Sequence, residues 1–301
     1  MVVVDFFFAL RPLVLVPAWS FFLLGHGLIA GEGFPTLRFL LLSLVLAAVH
    51  LVNQVVDAES DRLNGKGFFL QRGIFRARTY VLVASLLLGA ALATAWGLGV
   101  APVGLSAAAA LGLSYSLPPL RWSARPGCDL VANAIGYGGL ATWIGAGEIS
   151  AAVPWGARLG ACMFAVGAVF LHTTLLDLEG DRRTGKQSSG VVLGVQRTRI
   201  VAAVLALAGC GAAAAARAPF LLGASLGLAI LATASWLAPR RCTSGMVSVG
   251  GTTLFALAAG LHQPLFLLLL VLLVGATRIY YRRRFSLAYP SLVPAPRAES
   301  H

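Results

Sequence analysis

Residues 39–67 read FLLLSLVLAAVHLVNQVVDAESDRLNGKG, and residues 159–187 read LGACMFAVGAVFLHTTLLDLEGDRRTGKQ. Each begins with 18 residues free of Asp, Glu, Lys and Arg, and each then turns abruptly acidic and basic. At an offset of 120, six of the eleven residues that follow coincide: Asp57/Asp177, Glu59/Glu179, Asp61/Asp181, Arg62/Arg182, Gly65/Gly185 and Lys66/Lys186. An apolar run of about 18 residues suits a helix crossing the hydrocarbon of a bilayer. The pair therefore reads as two membrane helices carrying the same charged phrase at their ends.

The remainder of the chain agrees. It has 301 residues, of which 58% are hydrophobic and only 11% charged, with a mean hydropathy of +0.84. Soluble domains carry about 25% charged residues. Apolar runs occur near 12–30, 36–56, 79–97, 99–115, 129–147, 155–176, 200–216, 218–237, 245–261 and 264–277. A soluble fold has no way to bury ten such segments side by side, so the expected fold is an all-α, polytopic transmembrane bundle of nine or ten helices. The charged repeat divides it into two pseudo-repeated halves, about 1–120 and 121–240, followed by a basic tail at 282–301. Polar mature sequence does not follow the first run, which reads as a spanning helix and not a cleaved signal peptide. Cys128, Cys162, Cys210 and Cys242 lack metal-ligand spacing and read as small core hydrophobes.

The net charge of +12 has no soluble domain or basic helix to carry nucleic-acid binding. It follows instead the bias of Lys and Arg towards cytoplasmic loops. Basic residues crowd 57–78, 121–125, 182–199 and 240–241, while the intervening turns hold only Arg38, Arg158 and Arg217. Both charged repeats are thus expected at the cytoplasmic face. The segment RIYYRRRF at 278–285 requires an even number of crossings to reach that face, which favours ten.

Asn53, Asp57 and Asp61 are spaced four apart, as are Asp177 and Asp181, so on a helix each set stacks along one face. Carboxylates beside a bilayer need compensation, either from basic side chains or from a metal ion. Two acidic clusters, each followed by Arg and Lys, suit a diphosphate bridged by Mg²⁺, an ion that takes carboxylate and phosphate oxygens without an all-protein cage. Glu59 and Glu179 lie two residues from the aspartates and fall off the ladder, as outer supports.

NQVVDAESD, fitting N-x-x-x-D-x-x-x-D, and DLEGD, followed by Gly185, resemble the two aspartate motifs of the UbiA superfamily of intramembrane prenyltransferases. LRP at Leu10–Pro12 and YSLPPLR at Tyr115–Arg121 extend the likeness. The resemblance implies about nine helices around a central cavity, with Mg²⁺ and a prenyl diphosphate held between the motifs. Asn53, Asp57, Asp61, Asp177 and Asp181 would hold metal, the four aspartates being catalytic. Arg121, Lys66, Arg182, Lys186 and Tyr115 would bind substrate, and Arg125 is a further basic candidate. The chain departs from the family pattern in FFLQRG at 68–73, where the expected Arg is missing and Arg72 stands nearby, and at Gln187, where a basic residue is usual.

The implied reaction is Mg²⁺-dependent transfer of a prenyl group to an aromatic or lipid-like hydrophobic acceptor among membrane lipids. The apolar cavity shields an allylic cation from water. Tyr115, Tyr137, Trp143 and Phe170 are candidate cation-stabilising rings, and His50 and His172 candidate bases. A terpene cyclase of the same superfamily would use the same aspartates without an acceptor. A transporter would place its ion sites nearer the bilayer midplane than these helix ends, and the D-x-x-D-G-x-x-A-R pattern of a CDP-alcohol phosphotransferase is absent.

Overall fold

A computed structural model describes residues 2–27, 33–147, 155–287 and 289. Among these residues the regular structure is helical throughout. Eight helices are long and apolar enough to span a membrane. The first is compound, joining α1 (Val2–Ala9), a 3₁₀ turn (Pro12–Leu15) and α2 (Val16–His26). The other seven are α3 (Thr36–Val56), α6 (Ala77–Leu98), α10 (Trp155–Leu176), α12 (Ser189–Ala215), α13 (Pro219–Leu237), α14 (Ser244–His262) and α15 (Pro264–Phe285). Two shorter rods complete the bundle: α7 (Pro102–Ser116), and a continuous run of α8 (Cys128–Asn133), a π-helical segment (Ala134–Leu140) and α9 (Ala141–Gly145). Short helices α4 (Ala58–Leu63), α5 (Phe68–Gln71) and α11 (Leu178–Arg183) carry the charged segments between rods. These are the features of an integral membrane protein.

Small residues set the helix spacing. Ala84, Ala91 and Ala95 of α6 and Ala202, Ala203, Ala206 and Ala213 of α12 are buried, so backbones approach where lipid offers no hydrophobic drive for association. The closest crossing joins α2 and α9, where a Cβ on Gly25 would lie 2.0 Å from the Thr142 carbonyl oxygen and one on Gly145 would lie 1.9 Å from that of Phe22. Only glycine fits at either position.

Three boundaries differ from those expected. The first span starts at Val2, ten residues before the run at 12–30, because Arg11 interrupts the apolar sequence while the chain only pauses there. Arg11 takes φ +54° and Pro12 opens the next turn. Helix α12 starts at Ser189 and not near 200, bending at Gly194 with φ +72°, so Arg197 and Arg199 belong to the helix. Helix α15 runs on through RIYYRRRF to Phe285. Residues 28–30 of the first run and 290–301 of the basic tail lie outside the described residues.

That last helix returns the chain to the end of the bundle that holds both charged repeats. Tyr280 stacks on Phe8 at 4.0 Å, Phe285 packs edge-on to Phe69 at 5.5 Å, and Arg72 lies over the Phe285 ring at 4.8 Å. Buried Asp5 accepts hydrogen bonds from the Tyr280 hydroxyl and, at 3.2 Å, from Arg284 Nε. The basic end of α15 is thereby tied to α1 and α5.

Candidate active site

Both aspartate motifs lie at helix breaks. Helix α3 stops at Val56, Asp57 takes φ −94° and ψ 16°, and α4 restarts at Ala58; α10, Asp177 and α11 repeat the arrangement with φ −96° and ψ −1°. The expected straight ladder is therefore kinked, although the i to i+4 bond survives across the break, from Asp61 N to Asp57 O at 2.8 Å and from Asp181 N to Asp177 O at 3.0 Å. Each short helix ends in a tight turn. Gly65 and Gly185 sit at φ +68° and +72°, and Lys66 N and Lys186 N bond back to the Asp61 and Asp181 carbonyls at 2.7 and 2.9 Å. The matched glycines supply a left-handed conformation that costs other residues energy, and so aim the lysines that follow.

The lysines cross over. Lys186 Nζ donates to Asp57 Oδ2 at 2.8 Å and lies 3.8 Å from Asp181 Oδ1, while Lys66 Nζ pairs with Asp177. Each charged phrase thus neutralises the other's first aspartate. The exchange is held by uncharged contacts between α4 and α11. Ser60 Oγ donates to Asp181 Oδ1 at 2.8 Å, and Asn64 bonds both the Asp177 carbonyl, at 3.1 Å, and the Gly180 N–H, at 2.9 Å. A Cβ on Gly180 would fall 2.4 Å from Asn64 Nδ2, so this seat too needs glycine.

Two arginines complete the ring. Arg121 Nη2 stands 3.8 Å from Asp57 Oδ1, and Arg11 Nη1 stands 3.5 Å from Asp61 Oδ2. Burial pushes the Asp61 carboxyl above the usual range even though Arg11 and Lys66 pull it down. Burial alone would lower the Lys186 ammonium, but Asp57, Asp181 and Asp177 together outweigh it and leave it raised. Four carboxylates face four cations.

Asn53 donates to Asp57 Oδ2 at 3.1 Å and to Ser116 Oγ at 3.3 Å. It also lines an apolar cavity of about 90 Å³ between α3, α7 and the π-helical segment, with Val49, Leu111, Tyr115 and Tyr137. Asp57, Ser60, Arg121, Lys186 and Gln187 line a polar cavity of about 160 Å³. The Asn53–Asp57 bond links a residue that lines the apolar cavity to one that lines the polar cavity. Tyr137 Oη lies 2.6 Å from His50 Nε2 inside the apolar chamber, which Tyr115 and Asn133 also line.

The expected site residues separate accordingly. Asn53, Asp57, Asp61, Asp177, Asp181, Lys66, Lys186 and Arg121 converge, and Tyr115 joins them through the apolar cavity. Arg182 does not; it is exposed on α11. Glu59 and Glu179 are occupied by Arg62 at 2.6 Å and Arg183 at 2.7 Å on the exposed side, Arg125 bonds the Pro119 carbonyl at 2.8 Å, and Arg72 is spent on Phe285. His172 is buried with neither ring nitrogen bonded. Arg11 is the residue that sequence reasoning passed over, despite the signal of a basic residue within an apolar span.

Magnesium fits this donor set. Asp57 Oδ1 is buried and accepts no hydrogen bond, and the convergent acceptors are hard carboxylate oxygens. Among the described residues no three His, Cys, Asp or Glu side chains gather into a cage. One or two carboxylates with substrate phosphates suffice for Mg²⁺.

Known proteins share this fold. The fold matches a UbiA homologue from Archaeoglobus fulgidus bound to DMAPP and Mg²⁺, with a TM-score of 0.67 over 83% of this chain and 97% of that one, at 20% identity. It also matches a structure described as digeranylgeranylglyceryl phosphate synthase, with a TM-score of 0.60 over 83% of this chain and 93% of that one, at 15% identity. In sequence the chain is 31% identical over 180 residues to digeranylgeranylglyceryl phosphate synthase of Halobacterium salinarum, covering 60% of this chain and 63% of the relative. It is 35% identical over 157 residues to lycopene elongase/hydratase of Haloarcula japonica, covering 49% and 50%. The chain thus spans between half and two thirds of the length of these curated relatives. The profile of the UbiA prenyltransferase family matches residues 14–245, a stretch that contains both aspartate motifs and Arg121, and the chain belongs to that family.

Proposed function

We propose that the protein transfers a prenyl group from an allylic prenyl diphosphate to a hydrophobic acceptor within the membrane, with Mg²⁺ as cofactor and the aspartate motifs at the cytoplasmic face. The observation that carries this reading is the crossed lysine–aspartate clasp, bonded through Asn53 to the lining of an apolar cavity. Asn53, Asp57, Asp61, Asp177 and Asp181 would hold the metal–diphosphate. The chemistry a bound Mg²⁺ supplies there is withdrawal of charge from the leaving group. Because four carboxylates already balance four cations, a diphosphate brought with divalent ions adds little net charge. Once substrate oxygens arrive, Lys66, Lys186, Arg11 and Arg121 exchange carboxylate for phosphate contacts.

When the C1–O bond breaks, its electron pair leaves on the diphosphate and the allylic cation remains in the apolar chamber. Tyr115 and Tyr137 line that chamber, where an aromatic ring can stabilise a cation and apolar walls exclude water. The acceptor supplies the new electron pair and loses a proton. The relatives' names divide between a glyceryl phosphate lipid and a carotenoid, so the acceptor is to be found by assay.

Purified protein is incubated with Mg²⁺ and dimethylallyl, geranyl or geranylgeranyl diphosphate, with and without a membrane lipid extract. Diphosphate release that requires the extract is the expected result. Release with a cyclic hydrocarbon product and no acceptor would make the protein a cyclase, and no release from any of the three would remove the reading. Cysteine labelling at Arg76→Cys and Arg197→Cys in a cysteine-free variant tests orientation; labelling from outside intact cells would reverse it.

A further inference from the structure

The opposite end of the bundle holds a cavity of about 340 Å³ where α2, α9 and α14 finish and α10 and α13 begin. Arg158, Arg217 and His262 line it, and none of its described lining residues is acidic. Arg158 precedes Asp177 by 19 residues along α10, about 28 Å of helix rise, so this cavity is separate from the aspartate site.

Among the described residues no carboxylate pairs with Arg158 or Arg217. Arg158 Nε is buried and makes no hydrogen bond, a condition unfavourable for a buried donor. Ala218, Pro219, Phe220 and Leu221 bring the start of the 19-residue helix α13 to the same cavity, with no side-chain cap. The first N–H groups of a helix have no partner within it, and their end of the dipole is positive. His262 stands edge-on to Phe220 at 4.7 Å and places a third basic group beside that end. Two guanidiniums and a free helix start match the oxygens of a phosphate group. The neighbouring Leu24 and Leu221 offer apolar contact to a ligand arriving from lipid.

We propose that this cavity is a phosphate-binding site, for a phospholipid headgroup or for free phosphate, with Arg158 and Arg217 as its principal ligands. It does not depend on the proposed reaction. The full chain, delipidated in detergent with EDTA to suppress metal-dependent binding at the aspartates, is examined by native mass spectrometry with phosphatidylglycerol or phosphatidylcholine. Inorganic phosphate is titrated separately by calorimetry. Wild type is expected to bind a phosphate-bearing probe about tenfold or more tightly than Arg158→Gln or Arg217→Gln, with Arg158→Lys partly restored. A loss confined to the lipid probes identifies a headgroup site, and a loss that extends to inorganic phosphate identifies a site for the free anion. Should Arg158→Gln unfold, Arg217→Gln, at an exposed side chain, decides alone. Equal binding by wild type and the folded variants, or no binding of any probe by wild type, overturns the proposal.

Discussion

Replacing Lys186 with Met keeps an unbranched side chain, one atom shorter, and removes its charge from between Asp57 and Asp181. The ammonium sits 2.8 Å from Asp57 Oδ2 and 3.8 Å from Asp181 Oδ1, with 13% of its side chain exposed against 8% and 5% for its partners. Across 2.8 Å the attraction is about 6 kcal/mol at an effective dielectric near 20. Part of that is offset by the cost of desolvating the lysine, and breaking a buried pair by deleting one partner usually destabilises by about 3–5 kcal/mol. The metal-free variant should lose stability of that order. Because Mg²⁺ would supply the missing positive charge at Asp57, the loss should shrink when Mg²⁺ is added, and Mg²⁺ should stabilise the variant more than wild type. Denaturant unfolding of detergent-solubilised protein, in EDTA and in Mg²⁺, measures both quantities. Equal responses to Mg²⁺ in variant and wild type would refute the idea that lysine and metal serve the same carboxylates.

The raised Asp61 carboxyl holds its proton to higher pH than an ordinary carboxylate, so Mg²⁺-dependent activity should fall as pH drops from neutral into the acid range. Higher Mg²⁺ should move the acid limb to lower pH, and Arg11→Gln should move it higher; a limb indifferent to both would exclude Asp61 from the metal site. Arg121→Ala should raise the KM for prenyl diphosphate about tenfold or more, the scale of one charge-assisted contact, with Arg121→Lys partly restored. Normal kinetics in correctly inserted protein would leave Arg121 as a loop anchor. Tyr137→Phe strips the hydroxyl from His50 Nε2 and should lower unfolding free energy by about 1–3 kcal/mol; an unchanged denaturation midpoint would deny that bond a role.

The membrane bundle was legible because charge-free runs and membrane helices share a length. The same criterion misplaced helix ends, since a spanning helix may carry arginines at its polar end, as α12 carries Arg197 and Arg199 and α15 carries Arg282, Arg283 and Arg284. It also cut the first span at Arg11, whose guanidinium is used on Asp61. The π-helical turn at 134–140, inside one uninterrupted apolar run, left no mark in composition. At the site, spacing disclosed the aspartates. Their partners depend on α4 lying against α11, a tertiary fact with no local signature, which is why Arg182 seemed as good a ligand as Lys186.

The crossed pairing gives a physical reason for the charged phrase to occur twice. Within one copy, the lysine that follows the short helix turns back on the second aspartate's carbonyl and is aimed away from its own first aspartate. The carboxylate it neutralises belongs to the other copy. One phrase alone would leave its first aspartate, buried or half-buried, without its lysine partner, whereas two facing copies supply one to each. That closed exchange also draws the first aspartates of both motifs into one charge cluster, where each lysine can leave its carboxylate only when another cation arrives to replace it. A metal–diphosphate meets this condition, bringing cations for the aspartates and an anion for the lysines. Free diphosphate does not, since it competes with the carboxylates for the same lysines and leaves the aspartates bare. Diphosphate binding should therefore be weak in EDTA and strengthen steeply with Mg²⁺.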